Sequence, residues 1–150
     1  MGIIPRFSSG DVHKMMQQSI QTIDKAIINM LSNLGEKCVN EARNFGDYQD
    51  WTSNLRSSVG YIIMLDGNVL HSDFRRSGSG TDGATGMETA RSFATSLSGQ
   101  YPKGYGLIVV AGMNYAAYVE TRRNVLSTSE HLAQTELPRM IAELKSKLMA

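Results

Sequence analysis

The sequence predicts an α+β domain in which a small, mostly antiparallel sheet is packed by a long N-terminal helix and a C-terminal helix, with a short inserted helix. Three observations carry this. Apolar residues recur at three- and four-residue steps from Val12 to Cys38. A strand–turn–strand pattern follows over residues 58–74. An apolar run at 106–113 and a periodic stripe at 132–148 complete the order helix, hairpin, helix, strand, helix. The 150 residues form one domain, 1–150. A chain of this size buries roughly 68–70% of its unfolded surface, so it needs no covalent staple.

Residues 1–10 read as a flexible leader, because Pro5 and the Ser8-Ser9-Gly10 cluster break any regular pattern. Asp11 is the expected N-cap of the first helix. Val12, Met16, Ile20, Ile23, Ile27, Met30, Leu31, Leu34 and Cys38 then form one stripe, and the helix runs on through Val39 and Ala42 to stop before Gly46. Gly35 weakens it by about 1 kcal/mol relative to Ala. A helix this long and this sparsely capped is expected to pack against a neighbouring subunit as well as its own sheet.

Residues 46–54 are turn-rich and polar around Trp51. Ser58–Leu65 reads as a strand, Asp66-Gly67 as a hairpin turn and Val69–Phe74 as the returning strand. Residues 75–86 form a Gly/Ser-rich loop expected to be mobile. Met87 to about Leu97 is a short helix with Met87, Ala90, Phe93, Ala94 and Leu97 on one face. Gly106–Met113 is apolar on both faces, which predicts a central strand. Residues 115–123 have no clear type. Ser127 or Ser129 is the expected cap of the last helix, which carries Leu132, Leu137, Met140, Ile141, Leu144 and Leu148. Pro138 should kink that helix or mark its start.

Lys and Arg number 15 against 14 Asp and Glu, a net charge of +1, which argues against a dedicated nucleic-acid binder. Cys38 is the single cysteine, so no intrachain disulfide forms and a reducing compartment is expected. No apolar run approaches the ~20 residues of a membrane span. The first residues lack the apolar core of a signal peptide, and Arg6 stands where a myristoylation motif wants Ser or Thr.

Few residues point to chemistry. Gly78-Ser-Gly80-Thr-Asp-Gly83 matches G-x-G-x-x-G and lies between a strand and a helix, so its amides could cradle a phosphate, with Arg75 and Arg76 beside it. Against this, three residues separate the strand from the first glycine, the expected helix starts several residues after Gly83, and position 103 is Lys where the ribose-binding carboxylate is expected. His13, His71 and His131 lack partners at metal-ligand spacing, so no metal or cofactor is expected. Cys38 falls on the apolar stripe and reads as a small buried hydrophobe. Met15, Met16 and Met30 on or beside the stripe suit either core filling or a repackable subunit interface. Arg75-Arg76 and Arg122-Arg123 are basic doublets beside loops, and Tyr101, Tyr105, Tyr115 and Tyr118 cluster in the second half.

Two motifs occur together. Thr52-Ser53-Asn54-Leu55-Arg56-Ser57-Ser58 leads into a strand, and Asn114-Tyr115-Ala116-Ala117-Tyr118-Val119-Glu120 follows the last strand. The pair resembles the minor tail or tail-completion (head–tail joining) family of long-tailed bacteriophages, whose pattern is roughly T-G-x-L-R-x-S followed by Y-A-x-x-V-E-x-G-T and a C-terminal helix. The family's glycine is Ser53 here, its G-T is Arg122-Arg123, and the helix at 87–97 is an insertion. The resemblance implies a non-enzymatic virion subunit at the neck or top of the tail. It would be made in the bacterial host cytoplasm and would act without cofactor. Its partners would be copies of itself in a ring, such as a hexamer, and other neck or tail proteins. Candidate interface residues are Met16, Ile23, Met30, Leu55, Arg56, Tyr115, Tyr118, Glu120, Arg122 and Arg123. Arg75 and Arg76 are candidates for non-specific DNA contact in the ring lumen. Glu120 and Arg56 are expected to pair and pin the two motifs together. The alternative is a nucleotide- or nucleic-acid-binding module built on the Gly78–Gly83 loop with Arg75 and Arg76.

Overall fold

The computed structural model describes every residue except Met1, Ile3, Pro5 and Asp47. Its elements are α1 (Ser9–Phe45), α2 (Asn54–Ser57), β1 (Val59–Leu65), β2 (Asn68–Phe74), α3 (Gly83–Ser98), β3 (Tyr105–Ala111), α4 (Ala116–Glu120) and α5 (Ser127–Met149). The fold is α+β, with one three-stranded antiparallel sheet in the order β2-β1-β3. The N- and C-terminal helices pack against each other on one side of the sheet, and α3 covers the other.

Helix α1 begins at Ser9, three residues before Val12, the first residue of its hydrophobic stripe, which corrects the leader: Ser9 and Gly10 are helical, while Pro5 lies outside the described residues. The N-cap is Ser8, not Asp11. The Asp11 amide donates to Ser8 Oγ (3.2 Å), and the Ser8 amide donates back to Asp11 Oδ2 (2.8 Å), the reciprocal capping box. Phe7 and Val12 occupy the two positions of a hydrophobic staple around it.

The hairpin turn forms at Asp66-Gly67, both with positive φ (51° and 80°), as the primed turns of tight hairpins require. β1 is the central strand. Val59, Tyr61 and Ile63 point to α1, and Ile62 points to α3 with Phe74, Ala90, Ala94 and Val110. The expectation for residues 106–113 is therefore corrected. β3 is an edge strand, and its apolar character on both faces comes from being covered by helices on both sides rather than by a strand on each flank.

Helix α3 starts at Gly83, so the loop expected at 75–86 is shorter. Phe93 is exposed, and the buried face is Gly83, Gly86, Ala90, Ala94 and Ser98, small residues that bring the helix close to the sheet. Residues 116–120 form α4. Helix α5 runs from Ser127 through Pro138 to Met149, so Pro138 neither starts nor ends it. Ser129 is not its cap: it is buried and donates to the Cys38 carbonyl (2.7 Å), tying α5 to α1. Lys37 Nζ donates to Glu136 (2.8 Å) across the same contact.

Gly35 has a packing reason. A Cβ there would lie 2.7 Å from the Tyr61 ring, inside any normal contact. Replacing Gly35 with Ala should therefore destabilise the protein by about 1–2 kcal/mol in urea unfolding, because overpacking against the ring outweighs the helix-propensity gain of about 1 kcal/mol.

Candidate interaction surfaces

The two sequence motifs meet at the end of the molecule where α1 finishes. Arg43, near the end of α1, donates through Nε to the Arg56 carbonyl (3.2 Å) and through Nη2 to the carbonyls of Val59 (2.8 Å) and Arg75 (2.7 Å). Arg56 answers, donating through Nη1 to the Arg43 carbonyl and through Nη2 to the Tyr48 carbonyl (3.3 Å), with its guanidinium 5.1 Å from the centre of the Tyr48 ring. Asp50 accepts from the amides of Leu55 (3.3 Å) and Arg56 (2.7 Å) and so caps α2. Ser53 sits in the left-handed region (φ 61°, ψ 16°), and its Oγ accepts from the Gly80 amide (2.8 Å). Leu55 points inward with Tyr48, Ala116 and Val125 and is only 3% exposed, so it is core rather than interface.

Glu120 and Arg56 do not pair, which corrects the expected link between the motifs. The Glu120 carboxylate accepts from the amides of Val125 (2.8 Å), Leu126 (2.7 Å) and Ser127 (3.1 Å). Those donors belong to the N-terminus of α5 and the turn before it, where unpaired amides favour an anion. Asn124 Oδ1 adds a bond from the Thr128 amide (3.2 Å). The cap of α5 is thus supplied from outside the helix, by Glu120 and Asn124. Burial pushes the Glu120 carboxyl up, but the bonds from Ser127 and the three amides outweigh it and hold it below the ordinary carboxylate range.

This end presents aromatic side chains. Trp51 is 86% exposed, Phe45 is exposed, and Tyr118 is 61% exposed with the Arg122 guanidinium 5.0 Å from its ring centre. Tyr115 is also exposed, and Arg123 lines a polar hollow with Gly46, Tyr48 and Gln49. Tyrosine, tryptophan and arginine in such a setting are the usual anchors of protein interfaces. Trp51 and Phe45 were not among the sequence candidates. The signal was available, since a lone Trp in a polar turn has no core to enter.

The glycine-rich loop packs on the first motif. Gly80 lies so close to the Thr52 backbone that no Cβ would fit. The Ser77 amide donates to Ser57 Oγ (2.9 Å), the Gly80 amide to Ser53 Oγ, and the Asp82 amide to the Thr52 carbonyl (3.2 Å). These are amides a phosphate cradle would need. Arg75 is held by Glu36 and Asp73, and Arg76 Nη2 donates to the Gly80 carbonyl (2.7 Å).

At the opposite end, residues 9–23 of α1 are exposed all round. Their apolar stripe therefore lies in the open: Met16 is 60% and Ile20 55% exposed, and Ile23 is exposed as well. Met15 joins them, whereas Met30 is half-buried against the core. Beyond Ile23 the same stripe forms one wall of an apolar groove of about 600 Å³, closed by β3 and α5. Cys38 is buried in the groove wall, where burial pushes its thiol up. His13, His71 and His131 are exposed. Among the described residues no group of His, Cys, Asp or Glu could hold a metal, and no helix is long and apolar enough to cross a membrane.

No protein-family model matches the chain, and neither a curated protein nor a solved structure matches it.

Replacing Ser53 with Ala removes the bond to Gly80 while keeping the left-handed backbone, and should cost about 1–2 kcal/mol in chemical unfolding. Ser53→Gly loses the same bond but relieves about 1 kcal/mol of backbone strain, so it should be the more stable of the two. For Glu120→Gln the expected loss at neutral pH is also about 1–2 kcal/mol. The folded-state carboxyl of Glu120 titrates below its usual 4.5, so its stabilisation is complete above that value and disappears as pH falls through the lowered one. The gap between wild type and Glu120→Gln should therefore close as unfolding is measured at successively more acidic pH.

Proposed function

We propose that the protein is a structural subunit of a bacteriophage virion, a tail-completion or head–tail joining protein that assembles as a ring at the neck or the top of the tail. The observation that carries this reading is the placement of two unlike surfaces at opposite ends of one 37-residue helix. One is aromatic and edged with arginine; the other is an aliphatic and methionine stripe. A joining subunit in a ring must meet both copies of itself and a different protein, so it needs surfaces of unlike chemistry, whereas an isolated self-complementary dimer needs only one.

The motif residues support the same reading. Positions 52–58 and 115–120 build and brace the aromatic end, and the backbone at Ser53 has the left-handed conformation that suits the glycine of the family pattern. In this proposal the aromatic end faces other neck or tail proteins and the helical stripe faces a neighbouring copy. No catalytic step or cofactor enters. Of the two arginines considered for DNA contact, Arg75 is already paired with Glu36 and Asp73, so such a contact would rest on Arg76 and weaken with salt. Helix α3 opens at Gly83, as a nucleotide-binding loop requires, but the Gly80 and Asp82 amides already bond to residues 52–53, which weighs against the nucleotide-binding alternative.

Light scattering over a concentration series, with negative-stain imaging of the heaviest fraction, tests the proposal. The expected result is a reversible climb from 16.5 kDa to a closed ring of uniform size. Species that stop at a dimer, or open-ended filaments, would overturn the ring.

A further inference from the structure

Helix α1 presents one continuous apolar stripe in two environments. From Ile27 to Cys38 it forms a wall of the groove, opposite Leu107 and Val109 of β3 and Ala133 and Leu137 of α5. From Val12 to Ile23 it is uncovered. Each stretch spans eleven residue steps, or about 16 Å of helix. Phe7, Val12, Met15, Met16, Ile20 and Ile23 together expose on the order of 700 Å², near the ~800 Å² that each partner gives to a standard interface. The groove, at about 600 Å³, is lined mainly by apolar side chains.

We infer that the occupant of this groove is the uncovered first half of α1 from a second copy of the same chain, joined head to tail. The inference rests on the ring reading above and names the contact that would build it. The arm cannot enter its own groove, because Ile27 and Met30 in the groove wall belong to the same unbroken helix. Pairing two arms face to face would cover the stripes but leave both grooves open. Placing each arm in the next copy's groove buries apolar surface of both with one repeated contact, and unbranched methionines can repack to fit it. Because the donor and acceptor patches differ, the contact propagates from copy to copy until rotation closes the ring.

Complementation between two variants tests this. Met16→Asp with Ile20→Asp disables the arm at exposed positions. Ile141→Glu with Ala133→Lys disables the groove, and circular dichroism with a thermal melt checks that each variant is folded. Each variant alone should be a 16.5 kDa monomer, and a 1:1 mixture should give a dimer of about 33 kDa that grows no further, since one working arm meets one working groove. If the groove variant alone dimerises, arms pair with arms and the inference fails. If either folded variant still forms the wild-type assembly, the contact is wrong while the ring reading stands. A wild type that is monomeric at every concentration overturns the inference, and a wild type that assembles without closing overturns the ring alone.

Discussion

Seven residues of β1 set the terms for the rest of the molecule. The strand is buried on both faces almost along its whole length, with strands on both of its edges. Fully burying each large apolar side chain contributes about 1.5–3 kcal/mol, so Tyr61, Ile62 and Ile63 form a dense source of stability only if helices cover both sides of the sheet. That requirement explains the small residues opposite the strand. Gly35 lets α1 lie against the Tyr61 ring, and Ala90 and Ala94 let α3 settle on Ile62 and Val110. An edge strand needs less cover, and β2, exposed over most of its length, ends in a single anchoring residue, Phe74.

A core built this way leaves the chain ends of its elements with backbone groups to satisfy, and buried carbonyls and amides without partners are costly. Two side-chain assemblies answer this at the same end of the molecule. Arg43 and Arg56 exchange bonds with each other's carbonyls and join α1, α2, β1 and the end of β2. Glu120 collects three amides at the start of α5. Both sets use polar side chains on backbone atoms, so they brace loops that would otherwise be loose. The exposed Trp51, Tyr115 and Tyr118 thereby stand on a supported base, which reduces the ordering entropy an interface must overcome. The other end of α1 is supported differently. Its capping box and staple hold the helix start, while among the described residues nothing else covers its stripe.

How far the sequence was legible differs from element to element. Periodicity placed α1 and α5, and the Asp66-Gly67 turn placed the hairpin, because these signals arise within a few residues of one another. Apolar density misplaced β3: a strand covered by two helices and a central strand have the same composition, and only pairing separates them. The candidate surfaces show the same division. Met16 and Ile23, marked as interface candidates, are exposed in the fold. Leu55 was marked from the first motif and is core, because motif residues that hold a loop in place pack on what lies beneath it. Glu120 and Arg56 were expected to pair and instead each bonds to backbone atoms near it, since complementary charge says nothing about distance.

The amino-acid sequence by itself determined the fold class, the number and kind of long elements, the hairpin turn and the stripe of α1, all of them consequences of local backbone geometry and of the 3.6- and 2-residue periods. Tertiary structure alone decided which strand is central, which half of the α1 stripe is covered, where the glycine-rich loop rests and which amides Glu120 meets. Those outcomes depend on contacts between residues far apart in the chain, where the free energy belongs to a three-dimensional arrangement of apolar area and backbone donors that no local pattern encodes.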